Sequence, residues 1–317
     1  SLNNLGAAYT NQGDYPKAIR YLEQALSIRK KSLGERHPEL AVSLNNLGAV
    51  YDSQGDYPKA IHYHEQALSI RKQSLREEHP DVASSLNNLG ATYTSQGDYP
   101  KAIYYHEQAL RIRRQSLGEE HPDVANSLNN LGAAYARQGD YLKAIRYYEQ
   151  ALFIRKKSLG EEHPDVANSL NNLGAAYDSQ EDYPKAIRHY EQALCIMKQS
   201  LGEEYPDVAS LLNNLGEAYA RQGDYLKAIR YHEQVLSIQK QGLGNEHPKI
   251  AFSHRKIGVL HYNQNNFSEA KEHLEQALQI YKVMPQPNQQ DIETVEKLLS
   301  DCERQLKPSR GFGCSVM

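Results

Sequence analysis

The hexapeptide Ser-Leu-Asn-Asn-Leu-Gly starts at Ser1, Ser43, Ser85, Ser127 and Ser169, returns as Leu-Leu-Asn-Asn-Leu-Gly at Leu211, and decays to Ser-His-Arg-Lys-Ile-Gly at Ser253. The period is 42 residues from first copy to last. A fixed period between about 20 and 50 residues marks small units that cannot bury an apolar face alone and share a core by stacking on their neighbours. The 317 residues therefore read as one elongated array and not as two globular domains. Binding is expected along an extended surface and not in one pocket.

Each unit carries the signals of two helices. Pro38 suits a first helical turn, where its missing N–H has no partner to lose, and Glu39, replaced by Asp81, Asp123, Asp165 and Asp207 in later copies, favours the positive helix end. Leu44, Leu47 and Tyr51 then recur at helical spacing, with Gly48 beside them where a second helix must come close. This helix A stops at Ser53-Gln54-Gly55; Asp56 caps helix B, and Pro58 sits in its first turn. Helix B turns Ala60, Ile61, His64, Ala67, Leu68 and Leu75 inward. Glu181, which replaces the turn glycine in one copy, and Glu217, in an otherwise small-residue row, depart from the pattern and predict a local kink or an interruption of the groove.

Leu47-Gly48-Tyr51, Ala60 and Ala67, with Gly55-Asp56-Tyr57 between them, resemble the tetratricopeptide repeat (TPR) pattern. The 42-residue spacing, with Leu-Gly-Glu-Glu-His-Pro-Asp-Val-Ala at 117–125, is similar to the kinesin light chain subtype. The resemblance implies an all-α fold, a right-handed α-α superhelix of seven TPR helical hairpins with a C-terminal capping helix. Residues 1–282 would form the array, its first unit truncated because Ser1 falls inside a repeat, which predicts a longer parent chain. Residues 283–290, with Pro285-Gln286-Pro287, form a linker, 291–306 the capping helix and 307–317 a flexible tail.

On a helical wheel Leu44, Leu47, Gly48 and Tyr51 share one side of helix A, and Val42, Asn46, Ala49 and Ser53 lie about opposite. In TPR arrays the second side lines a concave groove. Asn46 and its equivalents Asn4, Asn88, Asn130, Asn172 and Asn214 would form a ladder there, with Asn45, Asn87, Asn129 and Asn171 nearer the edge. A carboxamide both donates and accepts, so such a ladder can satisfy the backbone of an extended peptide without reading its sequence. Arg137 and Arg221 fall in the same sector, and Arg255 and Lys256 stand where asparagines stood, which predicts selection of acidic side chains. The resemblance implies the same use, since kinesin light chains hold partly acidic cargo-adaptor peptides in this groove and join the kinesin heavy chain through a region absent here. The competing expectation assigns the asparagines to bonds between neighbouring units and the arginines to ordinary solvated helix ends.

Other chemistry is weakly supported. Thirteen histidines include a column, His79, His121, His163 and His247, that reads as helix starts and not as a converging metal site. His62 and His64 read as one exposed and one packed residue. No Gly-rich phosphate loop, nucleophile elbow or His-Glu-x-x-His occurs, and near-identical copies single out no place for an asymmetric catalytic constellation. No enzymatic activity and no cofactor are expected. A net charge of -3 with interleaved signs offers no field for nucleic acid, and no apolar run would span a bilayer. Cys195, Cys302 and Cys314 lack disulfide or metal spacing, and no signal peptide precedes the first repeat, which together predict a cytoplasmic protein. Cys314-Ser315-Val316-Met317 fits a prenylation motif, and one prenyl chain near Lys307 and Arg310 would hold a membrane weakly and reversibly. The expected function is an interaction scaffold for extended peptides; the alternative is a sensor or oligomerising arm of a larger signalling protein.

Overall fold

The computed structural model of the chain describes residues 2–284 and 288–307, and Cys314 and its motif lie outside them. All regular structure among the described residues is helical. The A-type helices are α1 (Leu2–Asn11), α3 (Pro38–Gln54), α5 (Pro80–Gln96), α7 (Pro122–Gln138), α9 (Pro164–Ser179), α11 (Pro206–Gln222) and α13 (Pro248–Asn263). They alternate with the B-type helices α2 (Tyr15–Leu33), α4 (Tyr57–Ser74), α6 (Tyr99–Leu117), α8 (Tyr141–Leu159), α10 (Tyr183–Leu201), α12 (Tyr225–Leu243) and α14 (Phe267–Val283), and α15 (Gln289–Leu306) follows. The chain divides into two compact units, residues 1–176 and 177–317, described separately below.

Local chemistry sets the helix boundaries. His37, His79 and His121 occupy N-cap positions, each ring Nδ1 accepting from the N–H two residues on at 3.3, 3.1 and 3.1 Å. These histidines satisfy helix ends, as their repeat position suggests. Tyr205 takes the same place at α11 with no side-chain cap bond. Asp56 caps α4 by accepting from the Lys59 N–H at 3.3 Å, and Lys59 Nζ folds back to its carboxylate at 2.7 Å.

The turn from A to B requires a left-handed residue. Gly55 has φ 83°, and Glu181 adopts φ 64° at the equivalent position. The kink predicted at Glu181 does not occur. Its N–H donates to the Asp178 carbonyl at 3.0 Å and the next N–H to Tyr177 at 3.0 Å, matching Gly55 to Asp52 and Asp56 to Tyr51, both at 2.9 Å. The turn's hydrogen bonds hold the glutamate in a conformation its Cβ disfavours.

In unit 1, Ala41, Leu44, Leu47, Leu86, Leu89, Leu128 and Leu131 are buried between successive helices. Close approach is set at the hexapeptide glycine. A Cβ on Gly48 would lie 2.6 Å from His64 Cε1, and one on Gly90 2.6 Å from His106 Cε1. At the hairpin turn Tyr51 stacks on Tyr63 with centroids 5.5 Å apart, and Lys59 Nζ lies 5.0 Å from the Tyr51 centroid. In unit 2 the same motif recurs as Tyr219 on Tyr231 with Lys227. There α15 packs against α14, with Ile292, Val295 and Cys302 buried in a cluster with Ala270, Leu274, Ala277 and Tyr281.

Candidate functional site

The side of the A helices opposite the leucine stripe is the accessible one. In α3, Val42, Ala49 and Ser53 are exposed and Asn46 is half-buried, whereas Leu44, Leu47 and Gly48 are buried. Asn88, Asn130, Asn172 and Asn214 are half-buried like Asn46, and Asn4 is exposed. Among the described residues the carboxamides of Asn46, Asn88 and Asn130 make no hydrogen bond, so they remain available. Asn172 differs: its Nδ2 donates to Asn129 Oδ1 at 2.8 Å.

The edge position expected of Asn45 and Asn87 is corrected. They are only 8% and 7% exposed and face the interior. Asn45 Oδ1 accepts from His64 Nδ1 at 3.0 Å and its Nδ2 donates to Ser85 Oγ, in the next hairpin, at 3.3 Å. Asn87 repeats this with His106 at 3.0 Å and Ser127 at 3.2 Å. The same serines receive a buried arginine from helix B: Arg71 Nη1 donates to Ser85 at 2.9 Å and to the Asp81 carbonyl at 2.8 Å, and Arg113 to Ser127 at 2.9 Å and Asp123 at 3.0 Å. A carboxamide oxygen only accepts, so the imidazole must carry its proton on Nδ1. Burial pushes His64 and His106 down to about 4, which keeps both rings neutral at ordinary pH. These asparagines lock hairpins together, and Asn129 is half-buried and bonded within the array; Asn171 is half-buried.

The cations separate in the same way. Arg137 is exposed and has no acidic partner among the described residues. It lies near the buried Tyr148 hydroxyl, which burial pushes up to about 12 against the pull of that guanidinium. In unit 2, Arg221 Nη1 sits 2.5 Å from Asp178 Oδ2. Lys256 pairs with Glu217 and donates to Asn213 Oδ1 at 3.1 Å, while Arg255 lies 3.8 Å from Asp291. Three of the four cations expected to select acidic side chains are thus engaged internally, because this unit carries its own carboxylates at matching heights. Glu217 brings into the small-residue row a charge that Lys256 answers, beside a cavity of about 370 Å³ that Arg221, His232 and Val259 also line.

The buried relay was missed in the sequence, although a signal was present. Where the arginine gives way to Met197, the serine gives way to Leu211, so polar partners are exchanged together for apolar ones. Both are buried. Among the described residues no group of three or more His, Cys, Asp or Glu is placed to hold a metal ion, and no helix is long and apolar enough to cross a membrane.

Fold and site together define a helical-hairpin repeat protein whose accessible face is a repeated row of polar side chains. A family model described as tetratricopeptide repeat matches residues 1–73, 81–157, 123–199 and 207–282, and the chain belongs to that family. A Podosopora anserina protein with nearly identical TPR-like repeats, assigned to the kinesin light chains, is 30% identical with a TM-score of 0.58, over 65% of this chain and 98% of that one. BtubC (BKLC) of P. vanneervenii is 27% identical with a TM-score of 0.62, over 74% of this chain and 92% of that one. RapI, at 18% identity and a TM-score of 0.57, shares the fold. No curated protein matches the chain. The TPR fold is that of a protein–protein interaction scaffold, and the subtype is kinesin light chain-like.

Proposed function

We propose that the accessible A-helix face of unit 1 holds an extended segment of a partner protein. The observation that carries this reading is the row Asn46, Asn88 and Asn130, half-buried carboxamides one repeat apart with no hydrogen bond of their own among the described residues. Each can donate to a backbone carbonyl and accept from a backbone N–H of an incoming strand. Arg137 adds a cation for an acidic side chain. Asn172 and Asn214 continue the row in sequence; Asn4 begins it. The likeness to kinesin light chains makes a cargo-adaptor segment the natural occupant, and the chain acts as a cytoplasmic, non-enzymatic scaffold. Kinesin heavy chain would join through a region outside this sequence. Prenylation at Cys314 would add weak membrane attachment, which Cys314→Ser removes from membrane fractions if the proposal holds.

The test is a peptide array probed with the purified chain, followed by titration of the best binder. Combined Asn46→Ala, Asn88→Ala and Asn130→Ala should weaken it at least tenfold with the helical circular dichroism unchanged. Undiminished binding overturns the role of this face.

A further inference from the structure

Unit 2 shows how the A-helix face satisfies its charges internally. Asp178 and Arg221 are 43 residues apart on adjacent A-type helices, and they meet at 2.5 Å. The two equivalent pairings in unit 1 are each half made. Asp52 stands where Asp178 does, but position 95 opposite it is a serine; Arg137 stands where Arg221 does, but position 94 opposite it is a threonine. The Thr94 hydroxyl is turned back to its own helix, donating to the Gly90 carbonyl at 2.9 Å. Asp52 therefore has no cation, and Arg137 no anion, among the described residues.

Asp52 and Asp178 are buried alike: in each, Oδ1 is shielded from solvent without a hydrogen bond, and burial lifts the carboxyl above the ordinary aspartate range. They differ in what answers the other oxygen's charge, Arg221 at Asp178 and only the Thr92 hydroxyl at Asp52. The group is half-buried, so a cation arriving from the open side reaches it, and that cation would supply what Arg221 supplies to Asp178.

We propose that the segment held by unit 1 has a defined charge order: a lysine or arginine that pairs with Asp52, and an aspartate or glutamate that pairs with Arg137. This deepens the reading of the face as a peptide-holding surface and rests on it. The spacing follows from the fold. Helix α5 packs against both α3 and α7, so Asp52 and Arg137 are two helix-to-helix steps apart. Packed helix axes lie about 8–10 Å from one another, which makes the span on the order of 20 Å. An extended chain advances roughly 3.3 Å per residue, so the two charges of the partner stand about six residues apart. The carboxamides of Asn88, on α5, and Asn130, on α7, stand about two helical turns before the level of the two charges, where they can hold backbone flanking the charged stretch while the charges fix register and direction.

A random twelve-residue peptide library displayed on phage, panned in parallel against the whole chain and against its Asp52→Lys/Arg137→Glu variant, tests this. The wild-type chain should enrich peptides with one basic and one acidic residue about six apart in a single order, and the variant should enrich the reversed order. Titration of a wild-type peptide should show at least tenfold weaker binding to the variant and to Asp52→Asn. Peptides enriched without a charge order, or the same order from both proteins, overturn the inference while leaving peptide binding intact. Failure of both proteins to enrich any peptide overturns the underlying reading of the face as well.

Discussion

The two units use nearly the same repeat but fill its interior and outer variable positions differently. Unit 1 has an interior polar chain: His64, Asn45, Ser85 and Arg71 run as a buried series of hydrogen bonds between hairpins, His106, Asn87, Ser127 and Arg113 repeat it, and the carboxamides of Asn46, Asn88 and Asn130 carry no hydrogen bond among the described residues. Unit 2 puts apolar Met197 and Leu211 at the interior arginine and serine positions of one junction, keeps a shorter polar pair, Ser253 to Gln239 at 2.8 Å, at the next, and carries ion pairs on the outer positions, where Lys256 meets Glu217 and Arg221 meets Asp178. The difference teaches that a repeat of this kind has two sets of variable positions, one that fastens neighbours and one that meets partners, and that a charge on the outer set counts for binding only where the adjacent copy does not answer it.

The largest expected effect is on acid stability. His64, His106 and His232 are almost fully buried, and burial pushes each from 6.5 down to about 4. The unfolded chain therefore binds protons that the folded chain refuses. Stability is fully present above pH 6.5 and is lost as pH falls toward 4, by up to about 3 kcal/mol per ring if each shift is fully expressed. Urea unfolding across that range should show the fall, and His106→Tyr, which copies Tyr148 and Tyr190, should lessen it; an unchanged acid profile would show that His106 contributes nothing to it.

Next in size is the interior exchange. Ser127→Leu alone, which imports the unit 2 residue, leaves the Arg113 guanidinium buried with one acceptor fewer and should cost about 3 kcal/mol. Adding Arg113→Met should recover most of that loss, and a double variant no better than the single would break the equivalence of the two interiors. A smaller effect is expected at the strained turn: Glu181→Gly should stabilise by about 1 kcal/mol, and Gly97→Glu should destabilise by a similar amount, both read as unfolding midpoints. Smallest is Arg221→Ser, which removes a half-exposed ion pair and should change stability by less than about 1 kcal/mol.

Most of the fold was legible in the letters because its signals are local. Proline and aspartate at helix starts, glycine at positive φ and a leucine stripe at helical spacing each act within a few residues, and repetition averaged out the noise in any one copy. The accessible side of helix A was legible for the same reason, since a helical wheel needs only the 100° step per residue. The wheel set Asn46 on the outer side and Asn45 nearer the edge, but it could not show that Asn45 is buried. They are adjacent letters with the same chemistry, yet one is 8% exposed and bonded to the next hairpin while the other faces outward.

The sequence by itself determined the repeat, the helices, their caps and turns, and the family, because each depends on short-range geometry that the chain carries wherever it goes. Only the tertiary structure decided which polar groups are already satisfied. A hydrogen bond between residues 40 apart, or an ion pair between residues 43 apart, depends on how one hairpin is set against the next. That setting leaves Asn46, Asn88 and Asn130 without hydrogen bonds and Asp52 and Arg137 without an opposite charge among the described residues, and it engages Asp178, Arg221 and Lys256 at the corresponding positions of unit 2.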